Sequence, residues 1–136
     1  TLLGALRPLR YLGVDPFADG GGPEGGRRHA FALLRLARFG GRANLLRMTS
    51  AEAATWVRDA SLDLVWVDAR HTREDAAADL RAWIPKLRPG GIVAGHDYGL
   101  TFQGIPLAVH EVFLEHPPAD GTLHLAPDDT FFWNLP

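Results

Sequence analysis

The chain has no cysteine, which excludes disulfides and thiolate-bound zinc. It has one lysine, Lys86, against thirteen arginines, an imbalance read as coding bias rather than as a site. It has no excess of positive charge: the formal net charge is −2, so nothing favours a long polyanion, and no nucleic-acid partner is expected. No apolar run approaches membrane-spanning length, no signal-peptide pattern is visible, and no membrane partner is expected. The expected setting is the cytoplasm. The chain also lacks an initiating Met. It opens on Leu2-Leu3-Gly4-Ala5-Leu6, which reads as the last turns of a helix, so an N-terminally incomplete domain is expected.

What is present fits one domain, residues 1–136, with enough apolar residues for a single core. The organising stretch is Leu62-Asp63-Leu64-Val65-Trp66-Val67-Asp68-Ala69-Arg70-His71. Leu64 to Val67 is an unbroken apolar run, as expected of a strand buried on both faces inside a parallel sheet. It ends in Asp68, and His71 follows three positions on. Ile92-Val93-Ala94 ends just before His96-Asp97-Tyr98, and Tyr11-Leu12-Gly13-Val14 ends in Asp15. Ligands of open α/β sheets bind outside the carboxyl ends of the strands, so these three endings point to one rim.

Between the strands the pattern is helical. Asp19 to Gly26 reads as a flexible loop. Its glycines Gly20, Gly21 and Gly22 lack the spacing of a phosphate cradle. Arg27 to Phe39 reads as an amphipathic helix with Ala30, Phe31, Leu34 and Ala37 facing a sheet. Asn44 to Met48 reads as a strand. Thr49 and Glu52 have capping-box spacing for a helix running to about Asp59. Thr72 is the expected N-cap of a further helix, with Ala76, Leu80, Trp83, Ile84 and Leu87 as its buried stripe. Pro89-Gly90-Gly91 is a turn into strand Ile92–Gly95. Ile105, Ala108, Val109, Val112 and Phe113 form the stripe of the next helix. Thr122–Leu125 and Thr130–Trp133 are strands joined by Pro127-Asp128-Asp129, too short for anything but an antiparallel pair. The expected fold is therefore α/β: a mostly parallel Rossmann-like sheet with an antiparallel C-terminal hairpin strand and helices on both faces.

The segments Asp63 to His71, Asp79 to Gly91 and Gly95-His96-Asp97-Tyr98, with Gly104-Ile105 and Ala108-Val109, resemble the class I S-adenosylmethionine-dependent methyltransferases. The subgroup most similar includes small-molecule and sugar O-methyltransferases, some of them magnesium-dependent. The resemblance departs at the front, where that family carries a strand and a Gly-rich loop. It implies that Asp15 accepts hydrogen bonds from the ribose hydroxyls of S-adenosylmethionine. Phe17, Thr49, Ser50 and Asp68 are the other candidate cofactor contacts. Phe17 serves equally well as core, and Thr49 already has a reason to exist as a cap. Asp68, His96 and Asp97 are candidate ligands for one divalent cation such as magnesium, although the imidazole of His96 suits a transition metal better.

His71 is the expected general base, because an unperturbed imidazole titrates at about 6.5 and can take a hydroxyl proton near neutrality. His29, His110, His116 and His124 carry no assigned role. The expected activity is methylation of a small-molecule or sugar hydroxyl, with homo-oligomerisation left open. The alternative is a non-catalytic Rossmann-like domain used as a scaffold or association module. A nucleotide-dependent dehydrogenase is disfavoured by the absence of Gly-x-Gly-x-x-Gly.

Overall fold

The computed structural model describes residues 9–18 and 23–136. The helix end expected over Leu2–Leu6 and the Gly20–Gly22 run therefore lie outside the described residues. The chain divides into two compact units, residues 1–53 and 54–136.

In the first unit, β1 (Tyr11–Val14) and β2 (Ala43–Leu46) pair in parallel and are connected through helix α1 (Pro23–Ala37). The pairing continues one step beyond the strand, where the Asp15 amide donates to the Leu46 carbonyl at 3.1 Å. Helix α1 starts four residues earlier than the sequence pattern suggests. Pro23 supplies a preset φ and Glu24 an acid in the first turn, both favourable at a helix start. The expected inward stripe is corrected as well. Phe31 and Leu34 are 63% and 75% exposed, and Ala30 and Ala37 are exposed with them. The less exposed line is Gly25, His29, Ala32 and Leu36, at helical spacing. Gly25 sets that line. A Cβ there would lie 1.9 Å from the Phe17 carbonyl oxygen, so only glycine lets the helix approach so closely. A tertiary contact thus outweighs the apolar periodicity of the helix.

Helix α2 (Ser50–Trp56) follows β2 and ends three residues short of the expected Asp59. Its capping box is formed: Thr49 Oγ1 accepts from the Glu52 amide at 3.3 Å, and Glu52 accepts from the Thr49 amide at 3.0 Å.

The second unit holds a four-stranded sheet in the order β3-β4-β6-β5, built from β3 (Leu62–Val67), β4 (Leu87–Gly95), β5 (His124–Leu125) and β6 (Phe131–Asn134). β3 and β4 are parallel; β6 runs antiparallel to β4, and β5 antiparallel to β6. The expected Pro89-Gly90-Gly91 turn lies within β4. Pairing passes from Leu62–Leu87 to Leu64–Ile92, so residues 88–91 bow out of register, with Gly90 at φ +74°.

Helices α3 (Arg73–Trp83) and α4 (Gly104–Glu115) pack against each other on one face of this sheet. Leu80, Val109 and Val112 meet Val93, Phe131 and Trp133 there, all essentially buried. Burial of one such aliphatic side chain contributes about 1.5–3 kcal/mol. Thr72 caps α3 by accepting from the Asp75 amide at 3.1 Å. Leu87, expected in the α3 stripe, instead opens β4, because Pro85 forces the chain into a 3₁₀ turn over Ile84–Lys86. Among the described residues β3 pairs only with β4, and Leu64 and Trp66 are 47% and 50% exposed. The expectation of a strand buried on both faces is thereby corrected: Val65 and Val67 lie on the face that carries α3 and α4, and Leu64 and Trp66 lie on the opposite one. No described helix is long and apolar enough to cross a membrane.

Arginines of α3 clip the two helices together across their exposed edge. Arg73 pairs with Glu111 at 2.6 Å and Arg81 with Glu115 at 2.5 Å, and Arg81 also bonds Glu111. The hydrogen bond from Arg81, followed by that from Arg73, holds the Glu111 carboxyl below its ordinary 4.5, and Arg81 does the same to Glu115. A carboxylate lowered by folding stabilises above its unfolded value and loses that contribution as pH falls through its native value. The thermal midpoint should therefore fall as pH drops below about 4.5, and less steeply in Glu111→Gln. Calorimetry from pH 3 to 6 reads this; parallel curves for the two proteins would assign the acid sensitivity to other carboxylates.

Candidate functional site

The rim at the carboxyl ends of β3 and β4 is built by close backbone approach. The His96 amide donates to the Val67 carbonyl at 3.2 Å, carrying the pairing one residue past the strand ends. A Cβ at Gly95 would stand 2.4 Å from the same carbonyl oxygen and 2.5 Å from the Phe131 ring, so the two strand ends and β6 converge only over glycine. Beyond them a small pocket is lined by Asp68, Arg70, His71, His96 and Asp97, with Ile105 and Phe131 among its apolar walls.

Asp97 is the centre of this rim. It sits at φ +64°, a conformation in which a non-glycine residue is strained, and the turn is stabilised by the Gly99 amide donating to the Asp97 carbonyl at 2.8 Å. Its carboxylate is shared between two imidazoles: Oδ2 lies 2.8 Å from His71 Nε2 and Oδ1 lies 3.1 Å from His96 Nδ1. A carboxylate can only accept, so His71 carries its proton on Nε2 in this arrangement and offers Nδ1 as the basic nitrogen. His71 is 37% exposed and Asp97 20%, which leaves the pair partly shielded but reachable. The strongest influence on His96 is desolvation, which opposes its charged form. Asp97, the Asp128 backbone and Asp68 together outweigh it, so His96 protonates above its ordinary range.

The structure brings Asp68, His71 and Asp97 together: one ligand atom from each lies within 4.8 Å of the others. This set differs from the trio read in the sequence, because His71 stands in it where His96 was expected. His96 instead braces the far oxygen of Asp97 and hydrogen-bonds the Asp128 backbone.

In the first unit, Asp15 is exposed at the end of β1. One of its oxygens accepts from the Phe17 amide at 2.6 Å, and the rest of its acceptor capacity faces outward. Phe17 is 8% exposed, at φ +52°, with its ring 4.9 Å from that of His29. Thr49 is engaged with Glu52 and Ser50 opens α2.

Two aromatic residues complete the rim, and of these Phe102 carries no sequence signal that singles it out. Phe102 stacks on His71 with ring centroids 4.0 Å apart and planes 19° apart. Tyr98 bonds His110 Nε2 through its hydroxyl at 2.5 Å. Burial pushes the Tyr98 phenol above its usual value. A stacking pair separated by 31 positions is invisible to local pattern.

Comparison with known proteins adds an independent line. The structure is similar to CalS11, a TDP-rhamnose 3'-O-methyltransferase of calicheamicin biosynthesis, at TM-score 0.62 and 20% identity, over 92% of this chain and 58% of that one. It is similar to the O-methyltransferase NovP at TM-score 0.66 and 17% identity, over 97% and 62%. A protein from Corynebacterium glutamicum matches at TM-score 0.64 and 20% identity, over 90% and 59%. At these identities the likeness shows the fold, a Rossmann-like α/β architecture. In sequence, the uncharacterized protein y4gI of Sinorhizobium fredii is 47% identical over 62 residues, 46% of this chain and 7% of that protein. The chain thus spans a small part of that relative and about three fifths of these solved structures. The family model described as Methyltransferase domain matches residues 2–98, well over half of the chain and including Asp15, Asp68, His71, His96 and Asp97. The chain belongs to the methyltransferase-domain family.

Proposed function

We propose that this protein transfers a methyl group from S-adenosylmethionine to a hydroxyl oxygen of a small molecule or sugar. The observation that carries the reading is the His71–Asp97 pair, 2.8 Å apart at the carboxyl ends of two parallel strands. Family membership supports the methyl transfer, and the names of CalS11 and NovP support oxygen as the acceptor atom and a sugar or small molecule as its bearer.

S-adenosylmethionine, when bound, would supply an electrophilic methyl group whose C–S bond breaks on transfer, its electron pair staying on sulfur as S-adenosylhomocysteine leaves. The protein's own part is positioning and proton transfer. Asp97 holds the Nε2 proton of His71 and stabilises the imidazolium that forms. His71 takes the acceptor hydroxyl proton at Nδ1 as the oxygen forms its bond to the methyl carbon. Asp15, whose carboxylate keeps acceptor capacity beyond its bond to Phe17, fits the ribose hydroxyls.

Asp68, His71 and Asp97 also fit a single divalent cation, which would acidify a bound hydroxyl. Two oxygens and one imidazole suit a transition metal better than magnesium. A cation on Nε2 of His71 would take the place of its proton bond to Asp97. Chelation therefore separates the two uses of this histidine.

Under this reading, His71→Ala should lower turnover by about 10²–10⁴-fold while leaving cofactor affinity nearly unchanged. Methyl transfer from radiolabelled S-adenosylmethionine to a panel of sugar and phenolic hydroxyls measures it. Activity of the parent should survive exhaustive treatment with EDTA; complete loss, restored by a divalent metal, would transfer the acidifying role to the cation. A fully active His71→Ala would remove His71 as the base.

In the complete protein, Asp15→Ala should weaken S-adenosylmethionine binding by about 1–3 kcal/mol, the cost of leaving polar partners unpaired. Isothermal titration reads it directly. Affinity equal to the parent's would take Asp15 out of the cofactor site.

A further inference from the structure

The imidazole of His71 is held on two sides, and only one of them belongs to the hydrogen-bonded pair. Asp97 fixes its edge at Nε2. Phe102 covers one ring face at 4.0 Å, nearly parallel. A single hydrogen bond leaves an imidazole free to pivot about the N···O axis, and a ring flip about Cβ–Cγ would put Cε1 in place of Nε2 at the carboxylate and lose the bond. An aromatic ring lying flat on one face opposes both motions, because each would break the stack.

The placement of Phe102 is tied to the backbone that carries His71. Gly104, the first residue of α4, lies so close that a Cβ there would stand 2.7 Å from the His71 carbonyl oxygen and 2.7 Å from the Arg73 amide nitrogen. The Ile105 amide in turn donates to the Phe102 carbonyl at 2.9 Å, closing the turn between them. The start of α4 is therefore seated on the His71–Arg73 backbone, and Phe102, two residues earlier, is delivered over the imidazole. Phe102 itself is 36% exposed and contributes little to the core. Its exposure at a rigid turn is better explained by the ring it covers than by packing.

We propose that Phe102 is a positioning residue for His71: its ring fixes the imidazole in the one orientation that bonds Nε2 to Asp97 and presents Nδ1 to the acceptor. This rests on the reading of His71 as the general base. Phe102 does not touch the reacting atoms through any polar group, so its effect passes through His71 alone. Among the described residues Nδ1 of His71 has no hydrogen-bond partner, which leaves that atom for the acceptor.

The test uses Phe102→Leu, Phe102→Tyr and Phe102→Ala in the complete protein, with the same radiolabelled assay and with ¹⁵N long-range correlation spectra of His71. The parent should show one tautomer, protonated at Nε2. Phe102→Leu, which keeps apolar volume but has no ring, should show a mixture of tautomers. Its kcat should fall on the order of tenfold to a hundredfold, as a slightly misplaced catalytic group requires, with KM for S-adenosylmethionine unchanged. Phe102→Tyr restores the ring and should restore both readouts. If Phe102→Ala does not fold, the Leu and Tyr pair still decides. A Phe102→Leu protein with the parent's kcat and a single His71 tautomer overturns the proposal. So does a Phe102→Tyr protein that stays as impaired as Phe102→Leu. Failure of the base assignment itself looks different: there His71→Ala is as active as the parent, whatever Phe102 does.

Discussion

The pairing of β4 with both β3 and β6 is the constraint on which the second unit depends. β4 lies between a parallel and an antiparallel neighbour, so its residues Ile92 to Gly95 are fixed in register from both sides. That register presents Val93 to α3 and α4, where it is fully buried beside Trp133. It also decides where the strand stops. Gly95 is the last residue of the strand; the His96 amide still bonds Val67, and Asp97 and Tyr98 follow it beyond the sheet. The chemistry of the rim thus follows from the hydrogen-bond ladder that places its backbone, and the strained conformation of Asp97 is held by its neighbours on every side.

Much of this was readable in the residues, and the parts that were not have physical reasons. The caps at Thr49 and Thr72 were legible because a cap is a contact over three positions. The stripe of α4 was legible because Ile105, Ala108, Val109 and Val112 meet a flat sheet. The stripe of α1 was misjudged because Gly25 has no side chain to announce the contact that orients the helix. β3 was read as an interior strand because Leu64 and Trp66 are apolar, yet apolarity does not say whether a neighbour is there. At the site, Asp68, His71 and Asp97 stood out as polar residues following apolar runs. Their mutual arrangement did not, since the swap of His71 for His96 in the converging trio depends on side-chain direction at a positive φ. Phe102 was illegible for the opposite reason: an aromatic residue in a glycine-bounded loop has no periodicity to betray it.

The rim divides its work in a way that composition would not suggest. Two histidines flank one carboxylate, but they are not equivalent. His96 is tied to the Asp97 carboxylate and the Asp128 backbone, and these, with Asp68, raise its pKa against the opposing effect of desolvation. His71 has one nitrogen bound to the carboxylate and one open, as the proposed base requires. Under the proposed reading, the same carboxylate anchors His96 on one side and supports the base, His71, on the other.

The half-exposed face of β3 has a consequence for the behaviour of the polypeptide in solution. β3 offers Leu64 and Trp66 beside a row of main-chain groups that no described strand pairs. Interior strands are built this way, whereas edges are commonly blunted by charge, proline or a bulge. Asp63, already engaged by Arg88, is the one charged side chain along β3. In solution this edge of β3 is therefore open to pairing with a further strand, since no described strand pairs there and Asp63 alone carries a charge along it.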